Sequence, residues 1–500
     1  MEDPAEQQCS TRWLWLALAA FAVLRIVYGG LRELTPDEAY YWVWSRYLAA
    51  CYLDHPPMVA VVIWLSTSLF GTSELTVRLP AALLSVATIA VTLRLAWSVS
   101  GSQRVMLWAG IILMCSPMMS VLGTIITPDS PATFFSICTL LAAVGAVRNP
   151  QSAWWRWPAF GLLAGLAMTS KYTTVLVPGA VVLMLLTSAS GRGHFTRPWI
   201  WLSALTAAIG FSPVIWWNAT HQWQSFAFQL AHGTRDTGDH VLMNLGEYVG
   251  GQAAVWTPIL FVLSMIVLVR CWRRLRQLPD DQRLLLGCST LILVFFGLTS
   301  LRHPAEANWP VFAYLPLTIL LAIWGASRTD LRKMRWLRAG VAVAAVCTIV
   351  LHVPEVILLS GKGVARIADV SGWQALARKA DAFSVARIDD LFGWQELAKK
   401  VDAVRGDSVV VCNRYGDAAE LSFYMAGRPT AWCVNYDNGR PSAFESFEGY
   451  PDLTKVPSVL AVSKGAGQMD AYFPNRTTET AEVKWGSRIL RKRYLISASR

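Results

Sequence analysis

Charge is what this chain has least of. Asp, Glu, Lys and Arg together make up 15% of its 500 residues, against 54% apolar residues. That is too little polar material to cover a soluble protein of this size. Lysine is rarer still: Lys171 is the first in the sequence and Lys333 the next. Between Glu74 and Asp236 the only acidic residue is Asp129. CxxC pairs and Cys/His clusters at metal-ligand spacing are missing, which argues against a zinc or iron–sulfur centre. No Gly-rich loop of the kind that cradles nucleotide phosphates is evident. A net charge of +11 raises the question of nucleic acid. The arginines, however, concentrate in short loops between apolar runs, where they set membrane orientation, and no nucleic-acid partner is expected.

What the chain has in excess is apolar runs of 18 residues or more. Each is long enough to cross ~30 Å of hydrocarbon as a helix. About eleven spans follow from that length criterion. They are 12–30, 77–100, 104–125, 129–147, 158–170, 172–189, 197–216, 248–269, 284–301, 307–326 and 336–358. Many of the 24 tryptophans, among them Trp42, Trp44, Trp154, Trp155, Trp216 and Trp217, fall near span ends, where amphipathic rings settle at the interface. The first span is long, and no small-residue cleavage site follows it, so it reads as uncleaved. Four loops carry the arginines: Arg148 with Arg156, Arg192 with Arg197, Arg270 to Arg283, and Arg328 to Arg338. They share one parity, which makes them cytoplasmic. The N-terminus is then inside. The loops 31–76, 126–129, 217–247 and 302–306 face outward, with everything after Leu358.

Residues 1–358 therefore read as the membrane domain and 359–500 as an outward soluble α/β domain. Stretches such as Ser408–Cys412 and Ser458–Val462 read as strands between Gly, Pro and Asn turns. The domain opens on a tandem duplication, RIADVSGWQALARKADAFSVA from Arg366 and RIDDLFGWQELAKKVDAVRGD from Arg387. Two copies are too few for a solenoid and read as a lengthened helical element. Of the nine cysteines, only Cys412 and Cys433 lie here. An oxidising compartment permits a bridge between them.

The chemistry-bearing residues gather in the outward loops. Thr35-Pro36-Asp37-Glu38 has the form of a helix start, with Thr as N-cap, Pro at the first position and Glu at the capping-box position. Glu38 can reach back to that cap, or serve with Asp37 as a catalytic acid. Asp37 sits in the first turn, where the helix dipole favours its ionised form and so suits a general base. Tyr41 shares its face one turn on. Thr127-Pro128-Asp129 repeats the turn at another outward helix start, a second catalytic candidate beside its ordinary dipole role. In Asp54-His55-Pro56-Pro57 the prolines hold the acid and the histidine in an extended turn. Asp54 is the one candidate ligand for a divalent metal, the only cofactor these residues raise, or else a contact for a sugar hydroxyl, and His55 is a candidate phosphate contact. Lys171, Arg78, Arg235 and His303 are outward cations or histidines suited to a lipid phosphate. The alternative for Lys171 and Arg78 is snorkelling to the interface, and Arg78 is also a candidate salt-bridge partner for the first-loop acids.

Asp37, Glu38 and Tyr41 in a DE-x-x-Y loop, the Asp54-His55-Pro56-Pro57 turn, and Arg78-Leu79-Pro80 at the next span together resemble the GT-C glycosyltransferases. The resemblance is to the branch with the lipid A aminoarabinose transferase and the protein O-mannosyltransferases. It covers about residues 12 to 330 and is closest to bacterial lipopolysaccharide-modifying members. Where that family reads Glu-Lys-Pro-Pro this chain has Asp54 and His55; Ser170-Lys171 and Asp129 are similar to its Thr-Lys turn and second acidic position. The resemblance implies an α-helical polytopic GT-C enzyme of the bacterial inner membrane with a periplasmic C-terminal α/β domain. Its donor would be a sugar on a polyprenyl phosphate, its acceptor lipid A or lipopolysaccharide or, alternatively, a protein. Asp37 would be the base of an inverting transfer, and Lys171, His55, Arg235 or His303 would meet the donor phosphate. A flippase for lipid-linked sugars is the rival reading. It predicts internal repeats and mid-membrane polar residues, whereas the acids here sit in loops. A sensor or scaffold built on the C-terminal domain is a third.

Overall fold

A computed structural model describes residues 4–234, 240–326, 331–352, 392–434, 440–453, 455–464, 476–485 and 488–499. The chain divides into two compact units, one of residues 1–26 and 81–383, the other of residues 27–80 and 384–500. Residues 27–80 thus pack with the C-terminal residues as one body.

The described residues of the first unit are mainly helical. Among the described residues of the chain, six helices are long and apolar enough to cross a membrane: Arg12–Gly29, Glu74–Ser100, Asp129–Arg148, Pro198–Thr220, Asp280–Thr299 and Leu331–Leu351. Two bent pairs, Tyr172–Leu185 with Ala189–Thr196 and Val241–Trp256 with Pro258–Arg273, meet the same test together. Shorter apolar helices cover Met58–Phe70, Gln103–Cys115 and Val311–Gly325. Two expected spans need correction. The run 104–125 breaks at Ser116, before the Pro117–Leu122 helix, and 248–269 turns by 107° after Trp256. The cause is the same in both. Pro117 and Pro258 lack an N–H and push the residue before them out of the helical region. Ser116 accordingly sits at φ −72°, ψ 129°, and Thr257 at φ 68°, ψ 146°.

Between the Ala153–Met168 and Pro198–Thr220 helices the contact is backbone on backbone. A Cβ at Gly161 would lie 1.9 Å from the Ser203 carbonyl oxygen, and one at Gly165 2.5 Å from that of Ala207. Small residues four apart allow helices without a water-driven attraction to gain dispersion energy by approaching this closely.

The second unit carries a five-stranded sheet of β1 (Val409–Cys412), β2 (Trp432–Cys433), β3 (Ser458–Ser463), β4 (Arg476–Trp485) and β5 (Arg488–Ser499), in the order β2-β1-β3-β5-β4. β1 pairs in parallel with β2 and β3, while β5 runs antiparallel to β3 and β4. Strands β1 and β3 fall where the alternating stretches were read. The first copy of the duplication lies outside the described residues; the second forms the Trp394–Arg405 helix, with Trp394 buried beneath the Arg491 guanidinium. Cys412 and Cys433 occupy facing positions on β1 and β2 as buried free thiols. Burial pushes the Cys433 thiol up to about 12, which leaves it unreactive.

Candidate active site

The Pro36–Arg46 helix begins as its sequence dictates. Thr35 accepts from the Glu38 amide, and Glu38 Oε2 accepts from the Thr35 amide at 2.9 Å, closing a capping box. Glu38 does more than cap. Its two oxygens also take Arg78 Nε at 2.8 Å and Nη2 at 2.6 Å, with Glu38 fully buried and Arg78 4% exposed. The remaining Arg78 donors go to the carbonyls of Gly29, Arg32 and Glu33. All five N–H groups of the guanidinium are thereby used. Glu38 and Arg78, both read as site residues, are turned to each other beneath the helix and away from solvent.

Asp37, one residue earlier, is exposed. The Tyr415 hydroxyl donates to its Oδ1 at 3.0 Å. Tyr415 opens the Tyr415–Tyr424 helix, and its ring lies 4.6 Å from Tyr40 and 5.5 Å from the Arg440 guanidinium carbon. Arg440 Nη2 in turn bonds Asp54 Oδ1 at 2.7 Å, while the Tyr40 hydroxyl donates to Asp54 Oδ2 at 2.9 Å. The Tyr40 oxygen also accepts the Ala443 amide at 2.6 Å. The result is a connected run of groups, Asp37–Tyr415–Arg440–Asp54–Tyr40, in one unit. Burial raises the Asp54 carboxyl above the ordinary carboxylate value, opposed by Arg440 and Tyr40. Burial and then the Asp37 charge raise the Tyr415 phenol, so it stays protonated and donates.

Asp54 was the metal candidate, and its surroundings do not fit one. A guanidinium already occupies the position a cation would take. Among the described residues no three His, Cys, Asp or Glu side chains converge as a metal would require. His55 is half-buried, and its carbonyl accepts the Tyr52 amide at 3.1 Å to close the turn. Tyr41 is buried, edge-on to Trp44 at 5.1 Å.

The other candidates belong to the first unit. Asp129 starts the Asp129–Arg148 helix and receives Lys171 Nζ on Oδ1 at 2.6 Å and Asn308 Nδ2 on Oδ2 at 2.9 Å. Acid and lysine are both buried. Lys171 therefore does not snorkel: it neutralises the one acid of that long stretch. His303 is buried with Nδ1 2.9 Å from the Pro304 carbonyl and its ring against Trp309. Arg235 lies outside the described residues.

This geometry can be set beside known proteins. The family model described as dolichyl-phosphate-mannose-protein mannosyltransferase matches residues 54–217. The lipid A galacturonosyltransferase RgtD of Rhizobium johnstonii is 27% identical over 359 residues, 70% of this chain and 72% of that protein. A polyprenol-phosphate-mannose–protein mannosyltransferase of Mycobacterium tuberculosis is 29% identical over 171 residues, 29% of this chain and 33% of that one. Crystal structures of ArnT from Cupriavidus metallidurans share the fold. The apo form has a TM-score of 0.68 at 20% identity and covers 98% of both chains. The form bound to undecaprenyl phosphate has a TM-score of 0.67 at 20% identity, over 97% of this chain and 98% of that one.

The chain is a glycosyltransferase with a GT-C fold.

As such it is a multi-pass membrane protein, and its helices are those of a GT-C fold. Sequence reasoning about the transferase missed Tyr415, Arg440 and Tyr40, which complete the chain of groups between Asp37 and Asp54. Tyr40 had a signal, since it is three residues from Asp37 in the same helix and beside the Tyr41 that was chosen. Tyr415 and Arg440 had none. They come from the C-terminal residues, and only folding sets them on the first loop.

Proposed function

We propose that the transferase moves a sugar from a polyprenyl phosphate onto lipid A at the outer face of a bacterial inner membrane. Asp37 acts as general base. Galacturonic acid is the sugar of first choice, because the relative matched over most of its length is a lipid A galacturonosyltransferase. In the reaction the acceptor O–H bond breaks and its proton passes to the Asp37 carboxylate. The acceptor oxygen forms the new bond at the anomeric carbon, and the bond from that carbon to the phosphate oxygen breaks, its electron pair leaving with the prenyl phosphate. Attack opposite the leaving group inverts the anomeric centre. A phosphate leaves readily, so a single base suffices, and cations near it offset its charge. Lys171, His55, His303 and Arg235 are the candidates for that contact.

One observation carries the assignment of the base. Of the two adjacent acids, Glu38 is buried and fully bonded, whereas Asp37 is exposed and held by a phenol that cannot compete for a proton. The outward position of residues 31–76 and 359–500 rests on the arginine loops. It is supported by the packing of residues 27–80 with 384–500 as one compact unit, which requires both on the same side. Asp37→Asn in the purified protein, given undecaprenyl-phosphate galacturonic acid and lipid A, is expected to abolish transfer while the melting temperature holds. Transfer by that variant would remove Asp37 from the role. A protein acceptor is the second reading, on the shorter mannosyltransferase match, and wild-type transfer to protein but not lipid A would favour it.

A further inference from the structure

A general base works only if its carboxylate is held in the geometry of the transfer, and an exposed aspartate at a helix start has several rotamers to choose from. The Tyr415 hydroxyl, 378 positions away in sequence, restricts that choice by its 3.0 Å bond to Oδ1. We propose that Tyr415 is a positioning residue for glycosyl transfer, orienting the Asp37 carboxylate toward the acceptor hydroxyl from a helix that itself carries no reacting group. The proposal rests on Asp37 being the base.

Three further features of the second unit support it. First, the backbone approach is built for the contact. Gly416 sits so close to the start of the Asp37 helix that a Cβ there would lie 2.8 Å from Pro36 Cβ. A proline ring cannot swing away, so only glycine lets the Tyr415 turn seat on Thr35-Pro36-Asp37. Second, both partners stand on anchored elements. The Asp37 helix is tied down by Glu38 to Arg78. The Tyr415 helix is tied to β5 by a buried pair, Asp417 with Arg493, at 2.8 and 2.9 Å. Third, the phenol is flanked. Tyr40 packs on its ring and Arg440 lies over it, with Asp54 beyond. Tyr415 thus cannot leave Asp37 without giving up these contacts. In the transfer step it gains and loses no proton; the acceptor's proton goes to Asp37 alone.

Removing the hydroxyl has a signature that a purely structural loss lacks. A donor to an ionised carboxylate favours that form, so its loss raises the acidic limb of the pH profile. Misplacing the base lowers kcat with little effect on KM. In full-length protein assayed with undecaprenyl-phosphate galacturonic acid and lipid A, Tyr415→Phe is expected to lower kcat about tenfold to a hundredfold. The acidic limb should move upward and KM stay within about twofold. Gly416→Ala keeps the phenol but forces the turn away from Pro36, and is expected to move kcat and the limb in the same direction by less. If Asp37→Asn is inactive while Tyr415→Phe keeps the wild-type kcat and pH profile, the positioning role is wrong and the base survives. If Asp37→Asn remains active, the base assignment falls first. A readout without substrate stands beside these: melting temperatures of Asp37→Ala, Tyr415→Phe and the double variant. Tyr415→Phe is expected to lower the melting temperature of wild type and leave that of Asp37→Ala unmoved. Additive shifts would mean the bond contributes nothing in the resting enzyme, and would overturn the proposal whatever the sugar.

Discussion

Replacing Arg78 by Met tests whether the Asp37 helix is held from beneath as the structure implies. The substitution keeps most of the side-chain volume and removes a guanidinium whose donors are all committed, two of them to the fully buried Glu38. Removing one member of a buried ion pair costs roughly 3–5 kcal/mol, chiefly by leaving the other charge uncompensated. The Gly29 carbonyl loses a buried partner as well, while those of Arg32 and Glu33 lie where water can replace the bond. A figure of about 4 kcal/mol corresponds to roughly a thousandfold shift in the local opening equilibrium. Amide hydrogen exchange of residues 39–46 in detergent-solubilised protein reads that equilibrium directly. The expected result is exchange about a thousandfold faster in Arg78→Met across this helix. Adding Glu38→Gln should reverse a large part of that loss. The uncharged amide no longer needs a counterion, and its carbonyl can still accept the Thr35 amide. Acceleration of less than about tenfold would refute the reasoning. So would a double variant no slower in exchange than Arg78→Met, since the cost would then not lie in the stranded carboxylate.

Other outcomes follow from buried charge elsewhere. Glu420, in the Tyr415–Tyr424 helix, is fully buried, and neither of its oxygens has a hydrogen-bond partner among the described residues. Burial holds its carboxyl well above the ordinary glutamate value, Glu33 and Glu38 adding to the shift and Arg491 and Arg78 opposing it. A carboxyl raised on folding costs stability above its folded value and recovers it as pH falls through that value toward the unfolded one. Glu420→Gln should therefore raise the melting temperature at neutral pH, with the gain fading as pH approaches about 4. An equal gain at both ends would show that titration is not its source. Lys171→Met strands Asp129 and is expected to destabilise by roughly 3–5 kcal/mol, measured as lost folded yield and melting temperature. Adding Asp129→Asn should restore the fold. Transfer that returned with the fold would remove Lys171 from the donor-phosphate contacts.

How much of this was legible beforehand depends on the range of the interaction. Helix starts were legible because their signals are local: Thr35, Pro36 and Glu38 lie within four residues and close the box they spell. Spans were legible as apolar length, but the breaks at Ser116 and Thr257 were overlooked, although a proline follows each. Inside an apolar run the length criterion outweighed the proline. The pairing of Glu38 with Arg78 spans 40 residues and that of Asp129 with Lys171 spans 42. Each residue had been singled out, Arg78 was weighed as a salt-bridge partner for the first-loop acids, and Lys171 was considered for a membrane interface or a lipid phosphate rather than for Asp129. Scarcity of charge was itself the clue there. In a stretch with one acid and one lysine, each is the other's cheapest counterion once both are buried. The contacts of Tyr415 and Arg440 with the first loop span 378 and 386 residues. Nothing in either segment alone marks them.

The adjacent acids Asp37 and Glu38 show why such a pair need not act as a pair. Two carboxylates one residue apart on a helix point about 100° apart, so one can face the core while the other faces solvent. Here the inward one meets a guanidinium and the outward one a phenol. The guanidinium matches its partner's charge and takes both oxygens; the phenol leaves its partner's charge in place and takes a position on one oxygen. Exchanging the two environments would destroy both functions. An arginine against Asp37 would lower its basicity, and a tyrosine against Glu38 would leave a buried charge without a counterion. Asp37→Glu tests this division of labour in one step. The charge is kept, but the carboxylate moves outward by one methylene, past the reach of a phenol fixed by Gly416 and Arg440. Transfer should fall by about a hundredfold or more with the helix intact. Near-wild-type activity would show that charge alone, rather than held charge, is what the site requires.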